Sequence, residues 1–209
     1  ETAGICLIIN NEKFDGELKL TERRGSDIDR DQIKTFFQKL KFKVIVYENL
    51  TANVMQEKLN ETSKQEVKES HDCFVCFILS HGEMGYVVYG TDCQEVPLLS
   101  LTTPFHKGHC PQLENKPKLF FVQACQGNQY NRGSINLADQ LEEDSAKKFK
   151  VMEEGDFLLS FASLQGYASM RSPTTGTWFI ASMISVFHEH YQEYDKFIIC
   201  FLGVFLLKI

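Results

Sequence analysis

Five short apolar runs, each bounded by polar or glycine-containing segments, mark the strands of this chain. They are residues 4–10 (GICLIIN), 42–47 (FKVIVY), 73–79 (CFVCFIL), 118–123 (KLFFVQ) and 157–164. Each is short and lacks helical spacing. The third is apolar throughout, which predicts a strand covered on both faces, near the middle of a sheet. Helical spacing fills the intervals. In residues 26–40, Ile28, Ile33, Phe36, Phe37 and Leu40 share a stripe, with Ser26 placed to cap and Asp29 at the capping-box position. Residues 51–63 predict a surface helix with Val54, Met55 and Leu59 inward, and 98–106 a short helix. Residues 175–191 predict a helix carrying Trp178, Ile180, Ala181, Ile184, Val186 and Phe187. Residues 82–97 read as one or two small hairpins. This alternation predicts an α/β fold with a largely parallel sheet, whose ligand site lies beyond the carboxyl ends of the strands. Two strands end in chemistry-bearing residues: Ser80-His81-Gly82 after the third, and Ala124-Cys125-Gln126-Gly127 after the fourth.

Residues 128–155 break the pattern. They are polar, rich in Asn, Asp, Glu and Lys, and read as a linker open to proteolytic nicking. The whole chain, 209 residues, suits a single domain. A net charge of −6 argues against nucleic acid, whose phosphates require a basic face. Seven cysteines, an odd number set mostly in apolar runs, fit buried thiols in a reducing, cytoplasmic setting better than a disulfide framework. Cys73 and Cys76 form a CxxC, but inside a hydrophobic strand and without a second pair or spaced histidines. They read as packed thiols, and no metal or cofactor is expected.

Cys125 differs from the other cysteines. It follows a strand end and has small or polar neighbours. A nucleophilic thiol also needs an imidazole and N–H donors for the developing oxyanion. His81 lies at another strand end, and Gly82 lets backbone approach a substrate closely. Gln123-Ala124-Cys125-Gln126-Gly127 matches the caspase nucleophile signature, and His81 lies 125 − 81 = 44 residues upstream, near the expected spacing. Ser80-His81-Gly82-Glu83 resembles the caspase SHGE loop. The resemblance covers about residues 3–195. It includes Cys6-Leu7-Ile8-Ile9-Asn10-Asn11, Arg23-Arg24-Gly25-Ser26-Asp27, Lys116-Pro117-Lys118-Leu119-Phe120, Arg171-Ser172-Pro173 and Gly176-Thr177-Trp178-Phe179.

The resemblance implies a caspase-like three-layer sandwich with a mostly parallel central sheet. It implies one catalytic domain over residues 1–209, with a large-subunit region to about 144, a small-subunit region from 145 and the intersubunit linker at 128–155. Cys125 would be the nucleophile and His81 the general acid/base, with the Gly82 and Cys125 N–H groups as oxyanion donors. Arg23, Gln123, Arg171 and Ser169 would bind a substrate aspartate, through guanidinium forks suited to a carboxylate. Arg23 is taken over Arg24 because it stands two residues before Gly25. Asp144, followed by Ser145, is the expected processing site, and Asp139 the second choice; Asp156, beside a strand, reads as structural. The implied activity is that of a cytoplasmic zymogen. It would cleave after aspartate in cell death or inflammation, as a homodimer or caspase heterodimer, with adaptor or inhibitor proteins as further partners.

Ala168 and Met170 depart from the bulkier residues usual beside the binding arginine, so initiator and executioner specificity stay open. The chain end departs further. The apolar run 197–209 replaces an amphipathic helix and a further strand, so the last, dimer-interface strand is expected to be missing. That run is too short for a membrane span, and truncation is the favoured reading. With no death-fold segment before residue 1, the chain reads as a catalytic fragment or short-prodomain form. Two alternatives follow: a caspase-like regulator without turnover, and a legumain-like protease, against which the signature and both arginines argue.

Overall fold

The computed structural model describes residues 2–129 and 156–190. Its strands are β1 (Gly4–Asn10), β2 (Lys43–Glu48), β3 (Cys73–Leu79), the short β4 (Gly82–Glu83), β5 (Val87–Tyr89) and β6 (Glu95–Pro97), then β7 (Lys118–Gln123), β8 (Phe157–Phe161), β9 (Arg171–Ser172) and β10 (Gly176–Thr177). The helices are α1 (Ser26–Lys39), α2 (Ala52–Glu61), α3 (Leu98–Thr102) and α4 (Trp178–His190). Five strands form one parallel sheet in the order β2-β1-β3-β7-β8, with the wholly apolar β3 at its centre. Leu79 pairs with Gln123, so β3 and β7 end side by side. That register carries His81 and Cys125 to the same edge of the sheet.

Side chains alternate across a strand, so β3 feeds two cores. Phe74, Cys76 and Ile78 pack with Met55 and Leu59 of α2, Leu98 and Leu101 of α3, and Phe105. Val75, Phe77 and Leu79 pack with Ile33, Phe36 and Phe37 of α1 and Ile180, Met183, Ile184 and Phe187 of α4. The rings of Phe74 and Phe105 stack at 4.0 Å, and those of Phe77 and Phe121 at 4.8 Å. Each such side chain contributes roughly 1.5–3 kcal/mol through burial. The result is helices, sheet and helices in three layers. No helix among the described residues is long and apolar enough to cross a membrane.

Three local expectations differ. The capping box does not form. The chain enters α1 through Gly25 at φ 87°, and the buried Ser26 Oγ has no hydrogen-bond partner. Asp29 instead accepts the Thr177 N–H at 2.8 Å. The first turn of α1 lies beneath the β9–β10 hairpin, where the buried Thr177 N–H needs an acceptor. Gly176 is required there, because a Cβ would sit 2.4 Å from Asp29 Oδ1 at a φ of +80°. Next, β8 stops at Phe161 and the chain bends, closing with the Tyr167 N–H on the Leu164 carbonyl at 3.0 Å. Finally, α4 starts at Trp178, because Gly176 and Thr177 pair with Ser172 and Arg171. Trp178, expected among the apolar positions of this helix, is 70 % exposed.

Asp156 closes a structural pair with Lys118. The buried ammonium meets its carboxylate at 2.7 Å and also donates to the Leu113 and Lys116 carbonyls. Asp139, Asp144, the linker beyond Gln129 and the run 197–209 lie outside the described residues.

Candidate active site

The β3 end is anchored by Ser80. Its N–H donates to the Gln123 carbonyl at 3.2 Å and its hydroxyl to the Tyr89 carbonyl at 2.6 Å. His81 follows, its carbonyl held by the Tyr89 N–H at 2.9 Å. Its Nε2 lies 2.7 Å from the Thr21 carbonyl. A carbonyl only accepts, so Nε2 carries the hydrogen and Nδ1 is left to take a proton. The ring leans on Phe14 with 4.8 Å between centroids. Burial holds the His81 imidazole below its ordinary pKa, and the cations Arg23 and Arg171 add to this against the Thr21 bond.

Gly82 has no room for a side chain. A Cβ there would lie 2.6 Å from the Cys125 carbonyl oxygen and 2.8 Å from that of Val87. The loop after His81 and the turn around Cys125 are therefore in direct backbone contact. Cys125 is half-buried, whereas Cys6, Cys73, Cys76, Cys93 and Cys110 are buried. Burial pushes the Cys73 thiol up to about 12 and holds Cys6 and Cys76 well above the ordinary value. The Ser169 N–H donates to Cys125 Sγ at 3.3 Å and fixes the sulfur's direction.

Two arginines from distant parts of the sequence meet here. Arg23 is 1 % exposed, and its Nη1 donates to the Asn11 carbonyl at 2.9 Å. Burial, with Arg171 next, pushes its pKa down to about 9, so it remains a cation at neutral pH. Arg171 is half-buried and donates from Nε to the Arg24 carbonyl at 3.1 Å; burial lowers its pKa as well. Asp29, Cys125 and Glu12 oppose both shifts. Arg24 instead points to solvent and pairs with Glu22 at 2.8 Å. Gln123 donates from Nε2 to the Ser169 hydroxyl, while its buried Oε1 has no partner. Cys125, His81, Gly82, Arg23, Gln123, Ser169 and Arg171 are thus drawn to the carboxyl ends of β3 and β7.

Several residues of this site gave no sequence signal. Thr21 acts through a backbone carbonyl, which any residue supplies. Phe14 belongs to a polar loop with no periodicity. Asn11 is buried at the end of β1, where Oδ1 accepts the Leu50 N–H at 2.9 Å and Nδ2 donates to the Tyr89 carbonyl at 3.2 Å. Asp29 carried a signal, but one that pointed to its own helix.

Together the groups offer a thiol, an imidazole with one free nitrogen, close-packed backbone and two desolvated cations. That set can attack a carbonyl and hold an anion beside it. The model of the caspase domain matches residues 3–199. Caspase-8 of Mus musculus is 38 % identical over 215 residues, covering 96 % of this chain and 44 % of that protein. Caspase-7 of Gallus gallus is 38 % identical over 199 residues, covering 92 % and 62 %. Caspase-3 of Mesocricetus auratus is 38 % identical over 183 residues, covering 88 % and 64 %. The chain therefore spans about half to two thirds of the length of these relatives. The crystal structure of caspase-1 from Spodoptera frugiperda superposes with a TM-score of 0.79 at 31 % identity, covering 93 % of this chain and 72 % of that one. With the family model matching nearly its full length and these relatives 38 % identical over most of it, the chain belongs to the caspase family.

Proposed function

We propose that this chain is a cysteine endopeptidase that cleaves after aspartate. Cys125 Sγ gives its proton to His81 Nδ1 and attacks the substrate aspartate's own main-chain carbonyl carbon, the one in the scissile bond. As the C–S bond forms, the carbonyl electrons move to oxygen, which the Gly82 and Cys125 N–H groups receive. His81 returns the proton to the departing amine as the C–N bond breaks. Water, deprotonated by His81, then adds to the thioester carbonyl; the C–S bond breaks and the thiol is restored.

The observation that carries this reading is the cationic pair. Buried Arg23 and half-buried Arg171 both lie beside the Cys125 thiol; loss of water lowers the pKa of each, and the Arg171 charge lowers that of Arg23 further. Holding two guanidiniums together is costly unless an anion arrives between them. A substrate carboxylate is such an anion, and charge-assisted bonds to it supply the selectivity. Activation by cleavage after Asp144, with Asp139 as second choice, and dimerisation are part of the same proposal, as is a role in cell death or inflammation. The test is a peptide series differing only at the residue before the scissile bond. Aspartate is expected to exceed asparagine in kcat/KM by about 10²–10⁴-fold, from two charge-assisted contacts. Equal cleavage of the two, or preference for lysine, would refute it.

A further inference from the structure

Three amide-to-carbonyl hydrogen bonds run in series through the loops that flank Cys125. The Gly85 N–H donates to Gln165 Oε1 at 3.1 Å. Gln165 Nε2 donates to Gln126 Oε1 at 2.8 Å. Gln126 Nε2 donates to the Cys125 carbonyl at 3.1 Å. Every donor points the same way, so each bond polarises the next. The series joins three separate segments: the hairpin after His81, the turn at Cys125 and the loop after β8. Backbone bonds reinforce the last two. The Gln126 N–H reaches the Tyr167 carbonyl at 2.9 Å, and the Gly166 N–H reaches the Gln126 carbonyl at 2.6 Å.

The two ends of the series are what give it meaning. It starts at Gly85, three residues beyond Gly82. It ends on the Cys125 carbonyl, the group on which Gly82 packs too tightly to admit a Cβ. The amides thus tie the hairpin just beyond Gly82 to the same Cys125 carbonyl on which Gly82 packs. Gln126 is fully buried and needs partners for its amide whatever its role. Gln165 is exposed, and solvent could satisfy it equally well. Its use as the bridge between Gly85 and Gln126 is therefore not explained by burial.

We propose that Gln165 and Gln126 are a positioning pair. They act through the backbone of Gly82 and Cys125, holding the two oxyanion donors at a fixed separation, and they favour turnover rather than substrate affinity. This rests on the peptidase reading above. Gln165 follows the linker in sequence, so the pair also makes the donors depend on the segment after residue 155 being seated.

The test uses the whole chain carrying Gln165→Ala or Gln165→Glu. Gln165→Ala is expected to lower kcat about tenfold, the loss of two modest hydrogen bonds that shape the transition state, with KM within about twofold. Gln165→Glu keeps an acceptor for Gly85 but sets a carboxylate oxygen against Gln126 Oε1, so its kcat falls at least as far at neutral pH. Because Gln165 is exposed, the melting temperature should move little, and the Gly85 amide should exchange with solvent faster in Gln165→Ala. An unchanged kcat, a loss expressed in KM alone, or unchanged Gly85 exchange would overturn the pair. A wild-type chain that neither cleaves Asp peptides nor reacts with an Asp-aldehyde would instead refute the peptidase reading, and the pair's role in turnover with it. A wild-type chain that cleaves but ignores Gln165 refutes the pair alone.

Discussion

Replacing Gly82 with alanine puts a methyl carbon 2.6 Å from the Cys125 carbonyl oxygen, 2.8 Å from the Val87 carbonyl oxygen and 2.9 Å from Ala124 Cβ. Two of these three neighbours are backbone and cannot swing aside. To reach an ordinary contact, the segments around Gly82 and Cys125 must separate by about 0.5 Å or more. Overpacking of this kind costs about 1–3 kcal/mol, which for a chain of this size lowers the melting temperature by roughly 2–12 °C. The separation falls between the two proposed oxyanion donors, so chemistry suffers beyond stability. Misplacing or losing one such donor costs about 10²–10³ in kcat. The assay is steady-state cleavage of a fluorogenic peptide ending in aspartate, below the melting transition. Gly108→Ala is the control: its φ is +83° but nothing lies within 4 Å of its Cβ, so it carries backbone strain and no collision. Gly108→Ala should melt slightly earlier, by about 1 kcal/mol, and keep its kcat. Gly82→Ala with a kcat within twofold of wild type and an unchanged melting temperature would refute the reasoning.

Arg23→Lys should lower kcat/KM for aspartate peptides by at least about tenfold, because a point charge cannot replace a buried fork, whereas Arg24→Lys should leave it unchanged. Asp156→Ala leaves the Lys118 ammonium buried without its carboxylate and should cost about 3 kcal/mol in denaturant unfolding; a loss under 1 kcal/mol would contradict the pairing. The acid limb of kcat/KM should fall below pH 6.5, since burial and two arginines hold His81 neutral to lower pH; a limb above that value would contradict the assignment. Stability should follow the same sign. His81 and His71 both have lowered pKa values in the fold, so the unfolded chain takes up protons that the native one refuses. Stability is then lost as pH falls through about 6.5, measurable as the denaturant midpoint against pH.

The middle of the sheet was legible because β1, β3 and β7 are buried on both faces. β1, β3 and β7 begin and end where their apolar runs do, and the unbroken run CFVCFIL marked the central strand. The position of Cys125 and His81 followed from strand ends in a parallel sheet, and the register of Leu79 with Gln123 brings them together. What sequence did not reveal is mostly tertiary competition for hydrogen bonds. Asp29 sits correctly for a capping box, yet the Thr177 N–H, 148 residues away, has the stronger need of an acceptor. The Thr21 carbonyl and the Asn11 carbonyl are backbone groups and leave no mark in residue type. The choice of Arg23 over Arg24, argued from spacing to Gly25, has a physical counterpart: one side chain is inside beside Cys125, the other in solvent with Glu22. Gln165 stands one residue beyond the run 157–164 that reads as strand, and only the bend after Phe161 turns its amide toward Gln126.

The central claim is that one thiol, one imidazole, buried Arg23 and half-buried Arg171 form a site for a peptide ending in aspartate. The most direct measurement is labelling of the purified, concentrated protein with an Asp-aldehyde peptide, followed by intact mass and by mapping of the modified residue. The account predicts one reversible adduct per chain on Cys125, absent in Cys125→Ala and weakened at least about tenfold in Arg171→Ala by loss of charge-assisted donors. Labelling that survives Cys125→Ala, or an aldehyde ending in asparagine that reacts as well as one ending in aspartate, would contradict it.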